Sequence, residues 1–238
     1  MGHLISHVRD QKVKREDIAN GIVNDTTQFQ TKNRPYLSNE YLEFHTDLCD
    51  VTGLLCVHPS PKGGENKVVS SIAVFEELNT HFPRMAKALS TPLQLMHQTP
   101  DMPDGKNHPI LHAPFSECQG YFSSFMLGSY IRTTYERRGL DLDPMVLDAI
   151  DKVQEISNND NNAIQFKLSQ GDILFTNNHI TYHSRNAFED TLDQPPRHLM
   201  RIWLSTFNNR PLSSSYNHLY GANRLAAGSM RGGFELLT

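Results

Sequence analysis

Phe44-His45-Thr46-Asp47 sets an imidazole and a carboxylate two residues apart. On a strand, side chains at that spacing share a face, so His45 and Asp47 can be aimed at one ion. Two histidines and one carboxylate on one side of a metal are the ligand set of oxygen-activating iron(II) sites, which keep the other side open for substrates. The pair is weak on its own. With 12 His and 15 Asp in 238 residues, chance generates about 0.8 such pairs. A third ligand and a cosubstrate anchor have to come from further along the chain.

The elements that must position such a site can be read from spacing and punctuation. Val51, Leu54, Leu55, Cys56 and Val57 form a buried strand over 51–58, closed by the turn residues Pro59-Ser60-Pro61-Lys62-Gly63-Gly64. A hairpin partner is expected next, over 66–70. Ser70 or Ser71 then caps a helix from Ile72 to Leu78, and Pro83 starts another through Leu89. Residues 91–120 hold five prolines and no helical period, and read as loops and short strands. Tyr130 to Arg138 ends as a helix at Gly139. Asp143-Pro144 starts a helix whose Val146, Leu147, Ile150, Val153 and Ile156 keep the spacing of one buried face.

Short strands and turns fill the last third: 164–168, 173–176 and 177–183, with a turn at Ser169-Gln170-Gly171-Asp172. A strand over 197–205 would put Arg197, Leu199, Arg201 and Trp203 on one face. Arginines on an inner face need an anionic partner, because a buried guanidinium is stable only when its charge is met.

At 238 residues the chain has the length of one domain, 1–238, with a proper core. A net charge of −4 and no long basic run give no footprint for nucleic acid or an anionic membrane. Cys49, Cys56 and Cys118 are too few and odd in number for a disulfide framework, which points to buried thiols in a reducing, cytoplasmic setting. No run approaches the ~18 apolar residues of a membrane span. Met1-Gly2-His3-Leu4-Ile5-Ser6 fits a loosely specified myristoylation pattern.

The order of three further stretches is specific. Gly171-Asp172-Ile173-Leu174-Phe175-Thr176-Asn177-Asn178, then Tyr182-His183-Ser184-Arg185-Asn186, then Arg197 to Arg201 follow Phe44-His45-Thr46-Asp47 and Gly63-Gly64-Glu65-Asn66. In that order they resemble the TauD/TfdA family of iron(II) and 2-oxoglutarate dependent dioxygenases, over most of residues 36–238. The resemblance implies a mainly β fold with flanking helices: a double-stranded β-helix, or jelly roll, of the clavaminate synthase-like kind.

It also implies His45, Asp47 and His183 as metal ligands, Arg201 on the distal carboxylate of 2-oxoglutarate, and Arg197 as a second basic contact. Asn66 stands where the family often has a threonine that touches the cosubstrate. The cofactors implied are Fe(II), 2-oxoglutarate and O2, and the reaction is oxidation, hydroxylation as the base case, of a small anion or natural-product intermediate. Asp47 disfavours halogenation, since halogenating relatives lack the carboxylate.

His179 competes with His183 as a ligand on spacing alone, and Arg185 reads as structural. Only 44 residues precede His45, fewer than family members usually carry. An exposed sheet edge left by such a shortened N-terminus would favour homo-oligomers. The alternatives are a catalytically inactive jelly-roll binding or regulatory module and a metal hydrolase on a similar barrel, of which the hydrolase leaves the two arginines without a task.

Overall fold

A computed structural model describes residues 39–95, 109–206, 210–216 and 219, with two short strands at 4–6 and 22–23. In chain order the strands are β1 (Leu4–Ser6), β2 (Ile22–Val23), β3 (Leu42–His45), β4 (Val51–His58), β5 (Lys62–Gly63), β6 (Asn66–Ser70), β7 (Leu93–Leu95), β8 (Ile110–His112), β9 (Phe115–Cys118), β10 (Tyr121–Ser124), β11 (Ala163–Phe166), β12 (Ile173–Asn177), β13 (Thr181–Arg185), β14 (Phe188–Glu189) and β15 (His198–Thr206). The helices are α1 (Ser71–His81), α2 (Pro83–Leu89), α3 (Gly128–Arg138) and α4 (Pro144–Ser157).

Helix boundaries follow local chemistry. The Ser70 hydroxyl, not that of Ser71, accepts from Ala73 N and caps α1. Asp143 accepts from Met145 N ahead of Pro144 in α4, and α3 stops at Gly139, whose φ of 61° is the left-handed turn expected after a helix. The α4 face Val146, Ile150, Val153 and Ile156 is buried as its spacing predicts, with Leu147 off that face.

Two antiparallel sheets carry the fold, in the orders β1-β15-β4-β12, with β2 also on β15, and β11-β6-β13-β3. The hairpin expected between β4 and the strand after it does not form: β4 pairs with β12 and β15, whereas β6 pairs with β11 and β13. The segment between them crosses from one sheet to the other. Its path needs Gly64, whose φ is +74° and where a Cβ would lie 3.3 Å from Arg197 Nε. The turn at 169–172 likewise passes between sheets. This strand exchange is the jelly roll.

The main core lies between the second sheet and the helices, where Phe44, Val69 and Tyr182 meet Val74, Leu78, Ile150 and Val153. A smaller apolar group of Cys56, Leu168 and Leu199 sits between the sheets. Since side chains alternate along strands, Phe44 and Tyr182 face the helices while His45 and His183 face the gap between the sheets. The two histidines are direct register partners across β3 and β13. At the other end of the first sheet, β12 leaves Ile173 and Phe175 exposed. No helix among the described residues is long and apolar enough to cross a membrane.

Candidate active site

His45, Asp47 and His183 come together at one end of the gap between the sheets, with one ligand atom of each lying within 4.8 Å of the others. The imidazole rings of His45 and His183 are 4.3 Å apart at their centroids and tilted by 52°. The His45 Nδ1–H donates to the carbonyl of Glu43 at 2.8 Å. Its lone pair is therefore on Nε2. His183 Nε2 stands 3.8 Å from Asp47 Oδ2, too far for a hydrogen bond, and its buried Nδ1 has no hydrogen-bond partner among the described residues.

Asp47 reaches the site by a different route from the one its spacing suggests. β3 ends at His45, and Asp47 lies in the loop beyond it. Strand alternation does not aim its carboxylate; side-chain hydrogen bonds do. Thr52 Oγ1 donates to Oδ2 at 2.9 Å and Arg201 Nη1 donates to Oδ1 at 2.9 Å. The Asp47 backbone N–H donates to Asn178 Oδ1 at 3.1 Å, and Asn178 Nδ2 in turn donates to Thr52 Oγ1 at 2.8 Å. Thr52 and Asn178 carry no spacing signal that marks them as supports of the carboxylate.

Burial by itself would raise the Asp47 carboxyl, but the Arg201 guanidinium and the two imidazoles outweigh it and hold it at about 2. Burial lowers both histidines, His183 to about 3 with help from neighbouring His45. Two neutral imidazoles and one ionised carboxylate are the protonation states a divalent metal needs of its ligands. The donor set fits iron(II).

His179 is not part of this group. Residues 178–180 form a turn rather than the start of a strand, and His179 Nε2 pairs with buried Asp50 Oδ1 at 2.6 Å.

A cleft extends from these residues between the sheets, and Asn66, Arg185, Arg197, Leu199 and Arg201 line it. Arg197, Leu199 and Arg201 share a face as their alternation predicts. The Trp203 side chain lies outside the described residues. Arg201 touches Asp47 at the metal end.

Arg197 differs: it is 4% exposed, and its guanidinium makes no hydrogen bond among the described residues. Asp190 accepts from its backbone N–H instead, at 2.9 Å. Burial lowers its pKa to about 10. The Phe188 ring supports it, with the guanidinium carbon 5.1 Å from the ring centroid, and Arg185 lies 4.9 Å from the same ring. Arg185 also donates from Nη2 to the Glu40 carbonyl at 2.5 Å, a structural bond. Asn66 is 6% exposed and lines the cleft beside Arg197.

The family model described as "Taurine catabolism dioxygenase TauD, TfdA family" matches residues 2–203, and the chain belongs to that family. Among curated proteins it is 26% identical over 222 residues to FR-33289 synthase of Streptomyces rubellomurinus, covering 91% of this chain and 64% of that one. It is 26% identical over 167 residues to a taurine hydroxylase-like protein of Stachybotrys chartarum, covering 68% of this chain and 42% of that one.

Among solved structures it resembles asparagine oxygenase in complex with Fe(II), 2S,3S-3-hydroxyasparagine and succinate, with a TM-score of 0.54 and 17% identity over 71% of this chain and 51% of that one. AAD-2 in complex with Mn(II) and N-oxalylglycine gives a TM-score of 0.53 and 14% identity over 75% of this chain and 69% of that one. Both likenesses show the fold. The chain spans about two fifths to two thirds of the length of the curated relatives it matches.

Proposed function

We propose that this chain is an Fe(II)- and 2-oxoglutarate-dependent dioxygenase that hydroxylates a small organic substrate, with release of succinate and CO2. The observation that carries the reading is a single cleft holding two neutral imidazoles and an ionised carboxylate at one end and the buried Arg197 guanidinium further in. An intact donor set favours the enzyme over an inactive binding module, and the arginines lining the same cleft favour it over a metal hydrolase.

His45, Asp47 and His183 would hold the iron. When bound, iron with 2-oxoglutarate supplies the oxidising chemistry: one atom of O2 goes to the substrate C–H and the other to succinate. The protein binds, orients and excludes water. The family resemblance assigns the distal carboxylate of 2-oxoglutarate to Arg201, with Arg197 second. Burial and bonding favour the reverse order, because the Arg201 guanidinium is already engaged by Asp47 whereas that of Arg197 donates no hydrogen bond among the described residues, Asp190 acting on its charge while accepting from its backbone N–H. A planar guanidinium takes a carboxylate with two parallel hydrogen bonds, and the Asn66 carboxamide beside it can add a third.

Three guanidiniums and one carboxylate line the cleft. A divalent ion and a dicarboxylate bring opposite charges of equal size, so the positive excess persists and favours an anionic substrate. Natural-product intermediates with a carboxylate or a similar group meet that requirement. In this reading residues 1–238 act as one domain. Buried cysteines outside any disulfide, Cys49, Cys56 and Cys118, support a cytoplasmic setting, a net charge of −4 argues against nucleic acid as a partner, and the apolar edge at Ile173 and Phe175 supports a homo-oligomer.

Anaerobic titration of the purified protein with Fe(II) and 2-oxoglutarate tests the reading. A saturable visible charge-transfer band is expected, weakened by Arg197→Ala more than by Arg201→Ala. Absence of the band from folded protein would overturn it.

A further inference from the structure

The strand that delivers His45 is completed by a side chain. β3 ends its sheet, with β13 on one side. On the other side, Gln154 of α4 uses both halves of its carboxamide on one residue: Oε1 accepts from Phe44 N at 2.9 Å and Nε2 donates to Phe44 O at 2.8 Å. These are the two bonds that an antiparallel neighbour exchanges with a hydrogen-bonded pair residue.

One residue earlier, the Glu43 carboxylate accepts from Ser129 N at 2.7 Å, in the first turn of α3, where the N-cap residue Leu127 supplies no side-chain cap. Its negative charge is also favourable at that helix end. The contact is close-fitting, since a Cβ on Gly128 would lie 2.7 Å from Ile150 Cγ2 and 3.4 Å from Glu43 Oε1. The backbone carbonyl of the same Glu43 accepts from the His45 Nδ1–H. Two helices therefore hold the two residues that lead into His45: Glu43 by its side chain and Phe44 by its backbone.

We propose that Gln154 and Glu43 are positioning residues that transmit the packing of α4 and α3 to His45, setting the place and tautomer of its imidazole. The inference rests on the reading of His45 as a metal ligand. The physical argument is that an edge strand held from one side keeps freedom to twist about its axis. The carboxamide clamp removes that freedom at Phe44, and the capped Glu43 fixes the carbonyl that leaves Nε2 as the free lone pair. A group of this kind acts on a metal through its ligand, and its loss typically weakens metal binding about 10- to 100-fold.

The test is the Fe(II) dissociation constant of the full chain, measured by anaerobic titration alongside thermal melting. Gln154→Met keeps the volume and removes both hydrogen bonds; Glu43→Ala removes the cap, and Glu43→Gln keeps an acceptor for Ser129 N. Val153→Ala, in the buried face of α4, is the control for general loosening. Gln154→Met and Glu43→Ala are expected to weaken Fe(II) binding about tenfold or more, Glu43→Gln to restore most of it, and Val153→Ala to lower the melting temperature with Fe(II) affinity unchanged.

Unchanged affinity in Gln154→Met and Glu43→Ala overturns the proposal while leaving the metal site standing, as does an equal loss in Val153→Ala. If Gln154→Met does not fold, the Glu43 pair decides by the same criterion. Failure of the wild-type chain to bind Fe(II) overturns the metal-site reading itself, and the proposal with it.

Discussion

The two ends of the cleft are built in opposite ways. At the metal end, Asp47 is met by Thr52 and Arg201, and His45 by the Glu43 carbonyl. The donors there are oriented before any ion arrives, so binding costs little ordering. At the other end, the Arg197 guanidinium and the Asn66 carboxamide line the cleft and make no hydrogen bond among the described residues. One end is preorganised for a cation; the other presents guanidinium and carboxamide donors that a carboxylate can take.

The largest effect expected from breaking this contrast is at the metal end. His45→Ala should abolish both Fe(II) binding and iron-dependent succinate release; turnover surviving that change would place the metal elsewhere. At the anion end, Arg197→Ala should cost roughly 2 kcal/mol or more of 2-oxoglutarate binding, on the order of 30-fold in affinity, with Fe(II) affinity in the absence of cosubstrate unchanged. Titration of each ligand separately checks that division. If Arg201→Ala instead carries the larger loss, the order inferred from burial is reversed.

Smaller changes sharpen the contrast. Thr52→Val removes one of the two bonds to Asp47 and should weaken Fe(II) binding about tenfold, with 2-oxoglutarate affinity of the iron-loaded protein less affected. Phe188→Leu removes the ring face under Arg197 and should cost about 0.5–2 kcal/mol of 2-oxoglutarate binding. Its effect on Fe(II) should be within error. Isothermal titration of both variants with both ligands measures the pair of effects, and a Phe188→Leu protein that loses iron instead would show that the two ends are not independent.

Much of this arrangement is legible in the chain itself, because short-range physics controls it. The Ser70 cap, the Asp143-Pro144 start and the Gly139 stop are decided within a few residues, so the helices fall where the punctuation puts them. The ordered set of His45, Asp47, His183, Arg197 and Arg201 is equally visible, and strand alternation places Arg197, Leu199 and Arg201 together on the cleft.

Tertiary structure decided the rest. β4 and β6 enter different sheets although a strong turn separates them, because the pairing partners β12 and β13 lie more than a hundred residues downstream. Asp47 is aimed not by strand period but by Thr52, Asn178 and Arg201. His179 is turned away by Asp50. Gln154 and Phe44, 110 residues apart, carry no pattern that links them. Sequence periodicity reports which face of an element is buried; which groups meet across that buried space depends on how distant elements pack, and hydrogen bonds of that range leave no local trace.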